Sequence, residues 1–371
     1  MNRYDYIIVG CGLYGAVIAE RLRAKDKSVL IIEKRRHIGG NCYSYEYKDT
    51  NITVHKYGTH IFHTGNSKVW EYVSRFTEFN RYQHRVLTTY KNKVYAMPMN
   101  LGTINAFYGL NLKPKEVAGF IAQKRGAIRY PKNLEEKAIG LIGEELYEAF
   151  IKGYTTKQWD CDPKELPPGI ITRLPVRTSY FDSYYDDYYQ GLPLHGYTLI
   201  FKNMLKGIPI ELETDFFIDR KYWENRCKYI IYTGPIDRYF DYVLGKLNWR
   251  SVRFEYEDVP LDDYQGTSVM NYADLEIPFT RIHEPKHLHR EKKHKPNTTV
   301  IIREFPCLDN QEPSYPVNSI VDQALLKKYQ SLAKKEKRAF FGGRLAEYKY
   351  YDMHHTIEAA LAKFEKIVKQ R

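Results

Sequence analysis

Hydrophobic and polar positions switch between two periods along this chain, and the switches divide it into segments. "YDYIIVG" (residues 4–10) and "SVLIIEK" (28–34) are short, near-continuous apolar runs, as expected of strands buried on both faces. Between them, from about Tyr14 to Ala24, apolar positions recur at helical spacing, so the opening predicts a β-α-β unit and the start of a doubly wound sheet. From about Pro98 to Trp159 the pattern becomes helical. Here "PKEVAGFIAQKRGAI" and "NLEEKAIGLIGEELYEAFIKGY" are amphipathic and punctuated by Pro, Gly and Asn, which predicts a small helical insertion. Residues 77–97, 170–190 and 248–305 alternate in short runs of Tyr, Val, Phe, Thr and Ile between turn residues, which predicts an antiparallel sheet. "KYIIYTGPID" (228–237) and "AFFGGRLAEY" (339–348) return to the buried-strand pattern and end in glycine turns. They are expected to rejoin the first sheet from far along the chain.

Composition changes this picture only at a few points. With 371 residues, 43% apolar and 27% charged, the chain reads as globular with two or three domains, and no apolar stretch approaches a membrane span. Arg3 followed by a mostly apolar run resembles a secretory leader, but Asp5 and the glycines within the run favour an uncleaved, cytoplasmic start. The five cysteines are scattered without a CxxC pair or metal-ligand spacing, so free thiols in a reducing compartment are expected, and no metal. A net charge of +12 points to an anionic partner, or to solvated loops such as "HREKKHK" (289–295). No RNP-like or helix-turn-helix signature accompanies it, so nucleic acid is not expected. The 34 tyrosines offer stacking faces with hydroxyl rims.

The chemistry begins at the first turn. Gly10, Gly12 and Gly15 fit G-x-G-x-x-G between a strand and a helix, where each meets a steric need, respectively the tight turn, close approach to a pyrophosphate, and helix–strand packing. The helix N-terminus then offers unpaired N–H groups to phosphate. Glu33, at the end of the second strand, is placed for ribose hydroxyls. A dinucleotide follows, either NAD or FAD. The second glycine turn, Gly39 and Gly40, favours the longer ligand, and Gly342, Gly343 and Arg344 repeat the idea late in the chain.

Taken in order, "VGCGLYGA", "EKRRHIGGN", "HKYGTHIFHT" (55–64), "KGYTTKQW" (152–159), "YQGLPLHGYT" (189–198), "IIYTGPID" (230–237) and "FGGRLAEYKYYDMH" (341–354) closely resemble the bacterial UDP-galactopyranose mutases. These segments span nearly the whole chain. The resemblance implies an α/β protein with a discontinuous Rossmann-like FAD-binding domain (1–76, 191–247 and 313–371), an inserted small helical domain (98–160) and an antiparallel β-sheet domain (77–97, 161–190 and 248–312). It further implies a homodimer whose FAD is active when reduced, by an external reductant such as NAD(P)H or a reductase. The implied reaction interconverts UDP-galactopyranose and UDP-galactofuranose. In it, N5 of the reduced flavin attacks the anomeric carbon, UDP leaves and later returns, and the sugar ring recloses in between.

The same resemblance distributes roles. For the cofactor it marks Gly10, Gly12, Leu13, Tyr14, Gly15, Glu33, Lys34, Arg35, Gly40, Asn41, His60, Ile61, Gly343, Arg344, Tyr350, Asp352 and Met353. Arg173 and Arg281 match the two arginines that grip the diphosphate, and Arg173 lies in a Pro- and Gly-flanked stretch expected to form a mobile lid. Phe150, Tyr154, Thr155 and Trp159 match the uridine region; Tyr184, Tyr185, Tyr315 and Tyr350 match aromatic contacts to uridine or diphosphate; Arg250 and Asn271 are further contacts. His60 and His63 lie in the loop that passes beside the flavin ring, acting through either an imidazole or a backbone carbonyl, and His63 joins Arg173 and Arg281 as a catalytic candidate. His84 stands where some relatives carry Asn, which leaves open whether the sugar is galactose or an N-acetylated or deoxy form. An amine-oxidase-type flavoenzyme is the rival reading, since it would share the glycine turns but need no diphosphate grip.

Overall fold

The computed structural model describes residues 4–171, 176–308 and 312–369. Five parallel strands form the first sheet, in the order Ala339–Phe341, Cys227–Tyr232, Tyr4–Val9, Val29–Ile32, Ile210–Glu211. Strands from both ends of the chain lie beside each other because Ile7, Ile8, Ile31, Ile230 and Ile231 are all but inaccessible and need apolar cover on both faces. Helix Leu13–Arg23 and the long helix Met353–Lys369 supply that cover on one side, packing Val17, Ile18 and Leu22 with Ile357, Ala360 and Phe364. Among the described residues no disulfide joins the five cysteines.

A seven-stranded sheet forms the second layer, in the order Tyr315–Pro316, Trp249–Val259, Thr299–Cys307, Arg281–His283, Val269–Tyr272, Val86–Tyr90, Lys93–Met97. It departs from expectation in three ways. Val269–Tyr272 pairs with Val86–Tyr90 in parallel, so the sheet is mixed rather than wholly antiparallel. Described residues 176–188 contribute no strand to it; Tyr189–Gly191 instead pairs with Phe62–Thr64 beside the first sheet. Tyr315–Pro316, expected in the first domain, pairs with Trp249 and Arg250. Alternating aromatics in 176–188 look strand-like, but Tyr180, Phe181 and Tyr188 remain exposed, so no sheet face is buried by forming a ladder there.

The helical segment runs through Leu101–Tyr108, Pro114–Lys124, Leu134–Ile142 and residues 144–159. Gly143, at φ +86, splits what the sequence pattern presents as one continuous helix. Residues Glu148–Lys152 then wind as a π turn before Gly153.

Candidate active site

The first sheet ends at its carboxyl edge in turns that converge on one cavity of about 950 Å³, which continues beneath the second sheet. Gly10 has φ +106, its N–H donates to the Ile32 carbonyl at 2.9 Å, and a β-carbon there would lie 2.2 Å from Thr233 Oγ1. No side chain caps helix Leu13–Arg23, whose N-cap is Gly12, so its first N–H groups remain available to a ligand. Gly40, at φ +54, backs directly onto Gly12: a β-carbon on Gly40 would stand 2.9 Å from the Gly12 Cα. The two glycine turns noted in the sequence are thus neighbours. A β-carbon on Gly12 itself would meet no described protein atom nearer than 4.0 Å.

Glu33 binds the turn from within. Its Oε2 accepts from the Cys11 N–H at 2.7 Å and its Oε1 from the Arg35 N–H at 2.9 Å, leaving further lone pairs toward the cavity it lines. Arg344 spends its fork on the carbonyls of Ser314 (3.2 Å) and Tyr351 (3.0 Å), so it shapes the wall while its charge faces the cavity. Every residue assigned to the cofactor from the sequence lines this cavity. Buried Tyr14 Oη and Arg35 Nε have no partner among the described residues, which leaves polar atoms for a bound group to satisfy.

Two histidines border the middle of the cavity. The short pairing of Phe62–Thr64 with Tyr189–Gly191 places His63 with its Nδ1 2.5 Å from Asp187 and its ring stacked on Tyr185 at 3.6 Å. His63, Asp352 and His354 bring potential ligand atoms within 4.8 Å of one another, a cluster that sequence spacing does not reveal. Burial pushes the His60 imidazole down to about 4, and Arg344 adds to the effect. Burial likewise pushes His84 down to about 3, helped by Arg281, so both rings are neutral at pH 7.

The far end holds the charge. Arg281 and Glu304 face each other in register on adjacent antiparallel strands, 3.3 Å apart. Glu304 Oε2 meets His283 Nε2 at 3.0 Å, and His283 Nδ1 meets Thr59 Oγ1 at 2.8 Å. Burial alone would raise the Glu304 carboxyl, but Arg281 and His283 hold it near 2. Tyr154 lies 5.6 Å from the Arg281 guanidinium, and Tyr315 stacks with Tyr350 at 5.7 Å. Burial raises the Tyr154, Tyr315 and Tyr350 hydroxyls, so they stay protonated donors around a fixed positive charge. The Tyr154 Oη and Asn271 Oδ1 atoms are buried without partners among the described residues.

Other substrate assignments divide. His63, His84, Tyr184, Tyr185, Asn271, Arg281, Tyr315 and Tyr350 line the cavity, whereas Phe150, Tyr154, Thr155, Trp159 and Arg250 do not. Phe150 packs edge-on against Tyr90 and Tyr95 in the helical core. Arg250 is buried and reaches toward Asp160 at 3.9 Å. Arg173 lies outside the described residues. Sequence reading missed Thr233, Asp215, Phe217, Arg238 and Lys246, which line the opposite end of the cavity. There Arg238 sits over the Phe217 ring at 4.7 Å and pairs with Asp215 at 2.7 Å. The strand-then-glycine pattern of "IIYTGPID" was the available signal, because ligands gather at the carboxyl ends of parallel strands.

Comparison with known proteins places this geometry. Residues 149–350 match the family model described as UDP-galactopyranose mutase, and residues 8–76 match an NAD(P)-binding Rossmann-like domain. A probable UDP-galactopyranose mutase of Klebsiella pneumoniae is 41% identical, covering 97% of this chain and 94% of its own length. A dTDP-fucopyranose mutase of Escherichia coli is 39% identical, covering 96% of each chain. A Mycoplasma pneumoniae UDP-galactopyranose mutase is 31% identical over 99% of this chain and 97% of its own. Among solved structures, a reduced UDP-galactopyranose mutase superposes with TM-score 0.75 at 15% identity, covering 100% of this chain and 95% of that one, and so shares the fold. With the family model spanning more than half of the residues and these relatives aligned nearly end to end, the chain belongs to the UDP-galactopyranose mutase family.

Proposed function

We propose that this protein interconverts UDP-galactopyranose and UDP-galactofuranose, with FAD held along the cavity. The observation that carries the reading is one continuous cavity: a glycine-turn cradle at one end, and at the other a half-buried arginine beside the protonated hydroxyls of Tyr315 and Tyr350. The residues present fit FAD. Gly12 leaves open space where a pyrophosphate would approach, Tyr14 Oη and Arg35 Nε await partners, and Phe217 with Arg238 offers a flat, charged end for an adenine. A reduced flavin, when bound, supplies a nucleophilic nitrogen toward the anomeric carbon.

The chain's own residues do the rest. Arg281, half-buried beside Glu304, remains charged, so it can hold the negative charge that grows on the diphosphate as the sugar–phosphate bond breaks. Glu304 fixes the direction of that guanidinium through their 3.3 Å contact. The Tyr315 and Tyr350 hydroxyls, which line the cavity and stay protonated, can donate to phosphate oxygens. Neutral His84, held by the Tyr82 hydroxyl at 3.0 Å, presents a polar edge to the sugar. An external reductant such as NAD(P)H or a reductase belongs to this reading, because reduction must come from outside the isomerisation.

The test is direct. FAD-loaded protein reduced with dithionite should convert UDP-galactose to the furanose form, while the oxidised protein should not. Arg281→Ala should lower turnover by at least tenfold, about 1.4 kcal/mol of lost transition-state stabilisation. Equal activity in both redox states would end the reading. The 39% identity to a dTDP-fucopyranose mutase favours a second substrate for the same assay, a dTDP-6-deoxyhexose. A higher kcat/KM on that compound would move the sugar assignment and leave the reaction type intact.

A further inference from the structure

We propose that Lys157 is a positioning residue that clamps the helix bearing Tyr154 to the loop between the strands bearing Asn271 and Arg281, and so builds the wall that grips the nucleotide. This rests on the function proposed above. The Lys157 ammonium donates to four main-chain carbonyls: Tyr272 at 2.7 Å, Asp274 at 2.8 Å, Ile277 at 3.0 Å and Phe279 at 3.1 Å. Tyr272 ends strand Val269–Tyr272, and the other three lie in the segment that joins it to strand Arg281–His283. Carbonyl oxygens turned toward one point repel one another unless a cation sits among them, and an ammonium has three N–H donors to share. Main-chain bonds such as Tyr272 N–H to the Thr280 carbonyl at 3.0 Å close the base of the loop, and Lys157 is the cation that gathers its inward carbonyls.

A second observation points the same way. Gly153 lies four residues before Lys157 on the same helix face, and a β-carbon there would come within 2.2 Å of the Ala273 carbonyl oxygen. Gly153 therefore lets the helix touch the loop backbone, and Lys157 reaches into it one turn later. The contact has consequences at both ends of the loop. Asn271 and Arg281 line the cavity, and Tyr154, next to Gly153, lies 5.6 Å from the Arg281 guanidinium. Burial lowers the Lys157 ammonium to about 8, with Asp274 and Glu276 opposing, so it stays mostly charged at neutral pH. None of these contacts touches the first sheet or the glycine turns. The clamp thus acts on nucleotide binding and not on the cofactor.

The experiment compares FAD-loaded, full-length wild type with Lys157→Met and Gly153→Ala. Lys157→Met should retain FAD at wild-type stoichiometry while its Kd for UDP, read from flavin fluorescence, and its KM for UDP-galactose each rise at least tenfold, with kcat falling less. Hydrogen exchange across residues 272–280 should quicken in the same variant. Gly153→Ala keeps the ammonium but wedges the helix away, and it should weaken UDP in the same direction, which preserves the test if Lys157→Met fails to fold. Wild-type UDP affinity in either folded variant would overturn the proposal, as would equal losses of FAD and UDP. If wild-type protein itself failed to bind UDP, the mutase reading would fall. The exchange measurement would still decide the clamp, since unchanged protection of 272–280 in Lys157→Met would refute it.

Discussion

Single residues separate the two kinds of constraint on the cofactor cradle. Gly40 is held by the protein: its φ of +54 and its closeness to Gly12 mean that any side chain strains the fold itself. Gly12 has no such neighbour among the described residues, so a methyl there would occupy only space that a ligand would fill. We therefore expect Gly12→Ala to keep the melting temperature of the apoprotein while cutting FAD occupancy at least about tenfold, a loss of roughly 1.4 kcal/mol of binding. Gly40→Ala should lower both. Flavin absorbance per protein, together with melting of the stripped forms, distinguishes them, and full FAD retention in Gly12→Ala would mean the pyrophosphate lies elsewhere. These glycines are legible in the sequence because the motif carries its own local context. The open space beside Gly12 is not, since it depends on where Gly40 comes to rest.

Between elements, the pairing of strand Arg281–His283 with strand Thr299–Cys307 sets the electrostatics of the cavity end that holds Arg281. Glu304, ordinarily at 4.5, is held near 2 by Arg281 and His283 against the cost of its burial. A carboxylate lowered in the folded state adds stability that is fully present above its unfolded pKa and is lost as pH falls through the folded one. The contribution is present above pH 4.5 and should fade as pH falls from 4.5 toward 2. Urea unfolding of wild type and Glu304→Gln should show a stability gap at pH 7 that narrows by pH 3. A gap of constant size would show that Glu304 does not titrate in this way. Apolar period alone identifies Cys227–Tyr232 and Ala339–Phe341 as strands of the first sheet, because a strand buried on both faces has little alternative. The same logic misleads over 176–188, where the aromatics alternate but stay exposed, and it cannot see that Val269–Tyr272 would pair in parallel. Pairing direction is decided by the partner, not by the strand.

At the scale of the whole molecule, the cavity is a seam between the two sheets. Its lining comes from turns near residues 10, 40, 60, 215, 235, 281 and 343, which meet only in the folded chain. A ligand that fills such a seam stabilises both layers together. Removing FAD from protein held at a hundredfold excess over Kd should cost about 2.7 kcal/mol and lower the melting temperature by roughly 3 °C for a chain of this size. Calorimetry of holo and stripped protein checks it; no shift would place FAD outside the seam.

By itself the sequence determined the glycine-rich turn between the first strand and helix, the return of distant strands to one sheet, the helical insertion and, through its resemblance, the family. These follow from local patterns, in which a residue's conformational needs are met by its near neighbours. Only the tertiary structure decided that Gly12 and Gly40 abut, that Glu304 stands behind Arg281, and that Lys157 fills a nest of carbonyls more than a hundred residues away. Each of these is a contact between segments whose own sequences leave the partner unspecified, and burial, not periodicity, chooses among the partners.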